Sequence, residues 1–474
     1  MTSTAQQIDS FIESRLNDYI EETAELCRVP SVSAKADRPV MAECARLVGT
    51  ILERHGFSVQ QFETEGNPIV VGRATGKSER TLLFYNHYDV QPPEPLDLWT
   101  SPPFEPEMRD GALYARGSKD DKGEFLARLA AVDAVRAAHG GDLPCGVTFI
   151  LEGEEEISSP HIAQFVQEHL DLLKSHGSIW EEGMQNDRGQ VIDSLGRRGI
   201  LAVELQAHTL TRDAHSGSAH LLPNAAWRLL RALSILKGTD ERILIPGFYD
   251  RVKPPSALDE QLLATFPSDE EAMRAELGIS ELGERQFVRG ATGDSYVRAV
   301  FQPTCNIAGI WAGYQGPGMK TVIPAVATAK VDFRLVPDQD PQEIFSSLRR
   351  YLDDEGFSDI KVTWLGAMWP QKGEADEPLV ALTARTAEEV YGQPSLLIPL
   401  SGGSSPVYAF ARPLGIPVVS PGVGYPGSRT HSPDEHVRLQ DFSNGARHIA
   451  RILDQFATWL DVGGDRAVNG ERRA

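Results

Sequence analysis

The chain has 474 residues, with 46 Lys and Arg against 67 Asp and Glu, a net charge of −21 and a 41% hydrophobic content, which is globular and more than one compact core fills. The acidic surplus excludes sequence-independent nucleic-acid binding, which needs clustered Lys and Arg, and no apolar run approaches the roughly 18 residues of a membrane span. Asp9, Glu13, Asp18, Glu21 and Glu22 interrupt the N-terminal apolar residues, so no secretory signal is read, and Cys27, Cys44, Cys145 and Cys305 are scattered without a CxxC pair, the usage of a cytoplasmic protein with reduced thiols.

Ile8, Phe11, Ile12, Leu16, Tyr19, Ile20 and Leu26 recur at helical spacing and predict an opening amphipathic helix that ends before Pro30. A second helix is expected over 40–55, stopped by Gly56. Segment 81–85 reads as a buried strand, 124–138 as an Ala-rich helix, 146–151 as another buried strand and 160–173 as a helix. This alternation predicts an α/β domain with a mainly parallel sheet and helices on both faces. The character changes near Gly199. Segment 200–208 alternates like a half-exposed strand, a helix follows at 223–236, and 321–336 reads as one long alternating strand. A helix at 341–352 and a strand at 359–365 complete a two-layer α+β domain, on which 238–300, rich in Pro, Gly and charge, is a long excursion. The α/β style returns with a helix at 378–391, strands near 395–398 and 417–420, and a last helix over 439–460; the tail 463–474 is read as disordered. The expected organisation is a catalytic domain formed by 1–199 and 371–474, interrupted by a lid at 200–370.

Chemistry concentrates after the predicted strands, where open parallel sheets collect ligands. His87-Tyr88-Asp89 follows the strand 81–85; a His beside an Asp can ligate a metal while the carboxylate orients the ring, although a polar surface loop would look the same. Asp120 and Asp121 lie in a glycine-bounded loop, 111–123, that is also a plausible helix start. Glu152, Glu154, Glu155 and Glu156 leave an apolar strand together; such a run is usually a solvated face, but here it emerges at the mouth of a sheet. With Glu181, Glu182 and His431, these residues could build a site holding two metals roughly 3.5–4 Å apart. Arg334 sits mid-strand among apolar residues, where an inward Arg needs an anion such as a substrate carboxylate and an outward one needs nothing. Thr321 and Ser404 could add hydrogen bonds, and Gly402-Gly403 would let a ligand approach the backbone.

Taken together, these segments resemble the M20 family of metallopeptidases. The matching stretches are 87–92, 111–123, 152–159, Gly196 to Gly199, Ala214 to Gly217, 320–324, 333–337, Gly402 to Ser404 and 431–435, in family order through most of the chain. The nearest branch is the dipeptidase-like one related to cytosolic nonspecific dipeptidase and carnosinase. The resemblance implies two divalent metal ions per subunit, zinc first, with manganese or cobalt as substitutes. His87 would ligate one metal and His431 the other, with Asp120 as the bridge; Glu156 would join His431, and Glu181, chosen over Glu182, would join His87. Asp89 would orient His87, and Glu155 would be the general base for attack by a metal-bridging hydroxide. The resemblance further implies that His215 polarises the substrate carbonyl across a homodimer, and that Asp120-Asp121 carries an unusual peptide geometry. Ile157-Ser158-Ser159 departs from the Gly-Ser common in the family after the acidic pair.

The function so implied is hydrolysis of dipeptides or short peptides with a free C-terminal carboxylate. An N-acyl-amino-acid amidohydrolase using the same two-metal site is the alternative. An inactive scaffold predicts a missing ligand, which is not found, and a phosphodiesterase reading is opposed by the charge of −21.

Overall fold

The computed structural model describes residues 3–181, 183–265, 274, 278 and 299–463. Two compact units are present: Met1–Leu195 with Gly373–Ile398 and Ala409–Ala474, and Gly196–Lys372 with Pro399–Tyr408. Residues 399–408, assigned to the catalytic domain from sequence, thus group with the second unit. No helix among the described residues is long and apolar enough to cross a membrane.

In the first unit a six-stranded sheet runs in the order Ser58–Phe62, Ile69–Ala74, Gly146–Glu152, Thr81–His87, Gly177–Ile179, Val418–Val419. The last four strands pair in parallel and the first two add antiparallel. Thr81–His87 and Gly146–Glu152 are apolar almost throughout because both faces are covered, and their residues are buried nearly without exception. Phe149 carries the centre of this core, with Phe57, Phe84 and Phe125 packed on its ring. Helices Thr4–Cys27, Arg38–Arg54, Lys122–Ala138, Pro378–Tyr391 and Leu439–Gly463 accompany the sheet. The first is capped by Ser3, whose hydroxyl and Gln6 form a capping box, and the second ends before Gly56 at φ 75°. The helix expected over 160–173 is only Ile162–Glu168, because His169 leaves helical geometry at φ −127°.

The second unit is an antiparallel sheet, in the order Thr304–Ala312, Val326–Leu335, Gly199–His208, Lys361–Met368. Strict alternation along Gly199–His208 sends Leu201, Val203, Leu205 and Ala207 inward, where they meet Leu229 of helix Ala225–Ser234 and Leu348 of helix Pro341–Asp354. The strand expected over 321–336 is two strands. Pro324 cannot donate to a ladder, so Val322–Ile323 pairs with Ala214–His215 while Val326–Leu335 joins the main sheet. Of the excursion 238–300, Phe248 is buried in this core and Ala257–Thr265 is helical; 266–273, 275–277 and 279–298 lie outside the described residues, as does the tail 464–474.

Candidate metal centre

Parallel pairing brings the functional loops of the first unit to one end of its sheet. His87 is the last residue of its strand and stands in register with Glu152, while Phe84 pairs with Ile179, so that Trp180 and Glu181 leave the neighbouring strand at the same edge. The Trp180 and Tyr85 rings stack with centroids 3.8 Å apart, and Arg128, fully buried, donates to Asn86 Oδ1 at 3.0 Å, Glu124 Oε2 at 3.2 Å and the Trp180 carbonyl at 2.6 Å. One guanidinium thereby ties the His87 strand to the Glu181 strand.

Asp120 lies between the two histidines. Its Oδ1 is 3.1 Å from His87 Nε2 and its Oδ2 is 3.0 Å from His431 Nε2. Glu156 Oε2 is 3.2 Å from His431 Nε2, and Glu181 Oε2 is 3.7 Å from His87 Nε2. Two groups result whose ligand atoms all lie within 4.8 Å of one another: His87, Asp121 and Glu181, and Asp120, Glu156 and His431. Asp121 accepts at Oδ2 from Asn86 Nδ2 at 2.5 Å and from the backbone N–H of His87 at 3.1 Å. The Asp120–Asp121 peptide is cis. Glu182, the other candidate beside Glu181, lies outside the described residues.

The acidic run after Gly146–Glu152 divides by role. Glu152 is buried and accepts from the Tyr85 hydroxyl at 2.6 Å; Glu154 is buried and meets His161 Nδ1 at 2.6 Å. Glu155 and Glu156 open a short 3-10 turn, whose N–H groups donate to Asp89 Oδ1 at 3.2 Å and Oδ2 at 3.0 Å. Asp89 therefore holds the Glu155 turn with its carboxylate, and meets His87 Nδ1 with its carbonyl at 3.0 Å and its carboxylate at 3.4 Å. The turn closes at Ser158 and Ser159, with φ 75° and 47°, where side chains other than Gly are strained. His431 sits in another strained loop, with Arg429, His431 and Asp434 at φ 55°, 61° and 60°, and Thr100 holds it by donating to Asp434 from N at 2.9 Å and Oγ1 at 2.7 Å.

The electrostatics describe a place that demands positive charge. Burial opposes ionisation of Asp120, but hydrogen bonds from His431 and His87 outweigh it and hold the carboxyl well below its ordinary range. Asp120 and then Glu156 push His431 up to about 10; His87 is raised well above its usual value because Asp120 and Asp89 outweigh its burial. Burial raises Glu152 to about 8 and Glu124 to about 7. Asp121 Oδ1 and Glu156 Oε1 are buried and lack any hydrogen-bond partner, although such atoms ordinarily have one. Unsatisfied carboxylate oxygens beside two imidazoles suit divalent ions that take nitrogen and oxygen ligands, so the donor set fits two metals.

Glu435 received no role from the sequence and is central here. It is fully buried; Oε1 accepts from the N–H groups of Gly117, Lys119 and Asp120 at 3.1, 3.2 and 3.0 Å, and Oε2 meets Arg116 Nη1 at 2.6 Å. Four residues after His431, it clamps the loop that carries Asp120. Its position in 431–435 was visible, but nothing in the sequence distinguishes a buried clamp from a solvated acid.

The remaining expected site residues lie in the second unit. Gly217 N–H donates to His215 Nδ1 at 3.0 Å, which makes Nε2 the protonated nitrogen of the neutral ring, and Ser216 N–H donates to the Thr321 carbonyl at 3.2 Å. Arg334 Nη1 donates to Ser404 Oγ at 2.8 Å. His215 and Thr321 are thus neighbours, as are Arg334 and Ser404.

Known proteins resemble this chain in sequence and in fold. The chain matches the model of Peptidase family M20/M25/M40 over residues 83–455. It is similar to the Cys-Gly metallodipeptidase DUG1 of Candida albicans, 26% identical over 483 aligned positions that cover 95% of this chain and 97% of that protein. The human Beta-Ala-His dipeptidase is 26% identical over 479 positions, covering 95% and 92%. Among solved structures, the M20 family metallo-carboxypeptidase Sso-CP2 from Sulfolobus solfataricus superposes with a TM-score of 0.87 at 32% identity, over 93% of this chain and 99% of that one. The family match runs from the strand bearing His87 into the last helix, and the chain belongs to peptidase family M20/M25/M40.

Proposed function

We propose that the protein is a two-metal dipeptidase that cleaves dipeptides or short peptides with a free C-terminal carboxylate. The placement of Asp120, one oxygen on each histidine, carries this reading, and the dipeptidase and carboxypeptidase names of its relatives support it. His87 and Glu181 would hold one ion, His431 and Glu156 the other, and Asp120 both, with zinc the first choice and manganese or cobalt compatible with the same donors. Ions held there would supply an activated water at neutral pH and take up charge developing on the scissile carbonyl.

Glu155 takes a proton from the attacking water and returns it to the leaving amine nitrogen. Asp89 fixes the turn that aims Glu155 and the ring of His87. Across the homodimer, His215, beside Thr321, would donate from Nε2 to the carbonyl oxygen as it becomes negative, and Arg334 with Ser404 would take the substrate carboxylate. The protein works as a homodimer in the cytoplasm. Ile307, Ile310 and Trp311 are exposed on the edge strand Thr304–Ala312, which favours pairing with a second copy, and Cys27, Cys44 and Cys145 are buried free thiols.

The test is hydrolysis of a dipeptide panel beside the matching N-acetyl amino acids, using metal-stripped protein and then adding zinc or manganese. Metal-dependent cleavage of dipeptides, lost in Glu155→Gln, is the expected result. Cleavage of the acylated compounds alone would replace the reading by the amidohydrolase one.

A further inference from the structure

Arg198, in the segment Gly196 to Gly199, has no part in the chemistry described so far. It is 8% exposed, immediately before strand Gly199–His208; its N–H donates to the Gly403 carbonyl at 3.0 Å and its Nη2 to the Gln302 carbonyl at 2.8 Å. Its Nε is buried without a partner. Arg334 arises next to it, since Ile200 and Thr304 are the residues paired with Arg334, and Arg334 is bound to Ser404 while Arg198 is bound to Gly403. Burial first, and then repulsion from Arg334, lower the Arg198 pKa to about 10, so the two guanidiniums are within electrostatic reach. Neither forms an ion pair with a carboxylate among the described residues. Asp332, next on the Arg334 face, is instead hydrogen-bonded by Asn306 Nδ2 at 2.9 Å. A buried Arg198 beside a half-buried Arg334, neither with a counter-charge among the described residues, is unfavourable unless a ligand brings negative charge, and a Cβ built on Gly402 would meet nothing within 4 Å, so the backbone beside them is open.

We propose that Arg198 and Arg334 form a two-guanidinium subsite for the two carboxylates of an acidic C-terminal residue, which makes dipeptides ending in Asp or Glu the preferred substrates. The α-carboxylate lies on Arg334 and Ser404, and the side-chain carboxylate on Arg198. This rests on the reading of Arg334 as the residue that binds the substrate carboxylate.

The experiment compares kcat/KM for Ala-Glu, the near-isosteric Ala-Gln, and Ala-Ala. The metal-loaded enzyme should prefer Ala-Glu to Ala-Gln by about tenfold or more, the scale of one charge-assisted contact. Arg198→Gln should lower kcat/KM on Ala-Glu about tenfold more than on Ala-Ala, chiefly through KM, and Arg198→Lys should restore part of the difference. Calorimetry of glutarate against butyrate reads the subsite without turnover: glutarate should bind about tenfold tighter, and the difference should shrink in Arg198→Gln. Dipeptide cleavage with no preference for Ala-Glu, or equal losses on all three substrates, would overturn the subsite and leave the dipeptidase reading standing. No cleavage of any dipeptide, with the glutarate preference intact and dependent on Arg198, would do the reverse. Should Arg198→Gln not fold by circular dichroism, the wild-type preferences and Arg198→Lys decide the matter.

Discussion

Replacing Glu435 by Ala removes four contacts at once from a fully buried position. Arg116, 1% exposed, loses the carboxylate that neutralises it, and the N–H groups of Gly117, Lys119 and Asp120 lose their shared acceptor. Breaking a buried ion pair from one side costs about 3–5 kcal/mol, and the stranded donors add to this without summing fully. A domain stability of about 5–15 kcal/mol would lose roughly a fifth or more of its value. Glu435→Gln keeps an acceptor for the three N–H groups but sets an amide NH2 or an uncharged oxygen against Arg116, so it should cost less. Urea unfolding with metals bound measures both, read as a shift in midpoint at constant slope. Because the same carboxylate fixes the Asp120 loop, calorimetric metal affinity should also fall about 10–100-fold in Glu435→Ala, the usual effect of losing a partner behind the ligands. Both variants within about 1 kcal/mol of wild type, with unchanged metal affinity, would refute the clamp.

Other consequences can be measured separately. Burial works against charge on His55, but Asp133 and Glu22 outweigh it and raise it to about 9, so its contribution is full below the unfolded pKa near 6.5 and lost as pH rises through 9. Unfolding free energies from urea titrations at pH 6 and 9.5 should differ by up to about 3 kcal/mol from this group, a difference that His55→Gln should remove. Phe149→Ala empties a fully buried site among three aromatic rings and should cost about 3–5 kcal/mol in the same assay. Gly123→Ala places a Cβ 1.9 Å from the Ser118 carbonyl oxygen, so the Asp120 loop must shift, and both melting temperature and metal affinity should drop. Adding zinc to the stripped protein at about 100 times the Kd of a site should raise stability by about 2.7 kcal/mol for each ion bound, and Asp120→Ala, at the same zinc concentration, should abolish most of that gain.

Strands with continuous apolar centres, such as Leu82 to Tyr85 in Thr81–His87 and Phe149 to Leu151 in Gly146–Glu152, were legible because burial on both faces favours apolar residues on both. Ser58–Phe62, mostly exposed at the sheet edge, and Thr304–Ala312, an edge strand with little burial, carry no such pattern and were not expected. The split at Pro324 was written in the residue itself, yet alternation on both sides of it masked the break.

Local chemistry and motif order by themselves determined the α/β frame, its interruption by an α+β unit, and the residues that could meet metals, because side-chain period and residue type are local properties. Tertiary structure alone decided the sorting of neighbouring acids. It sent Glu152 to Tyr85, Glu154 to His161, Glu156 to His431, and made Glu435 a clamp. Partners 67, 7, 275 and 315 residues away from one another in the chain set those roles, and no local pattern records which carboxylate a fold will bury beside which donor.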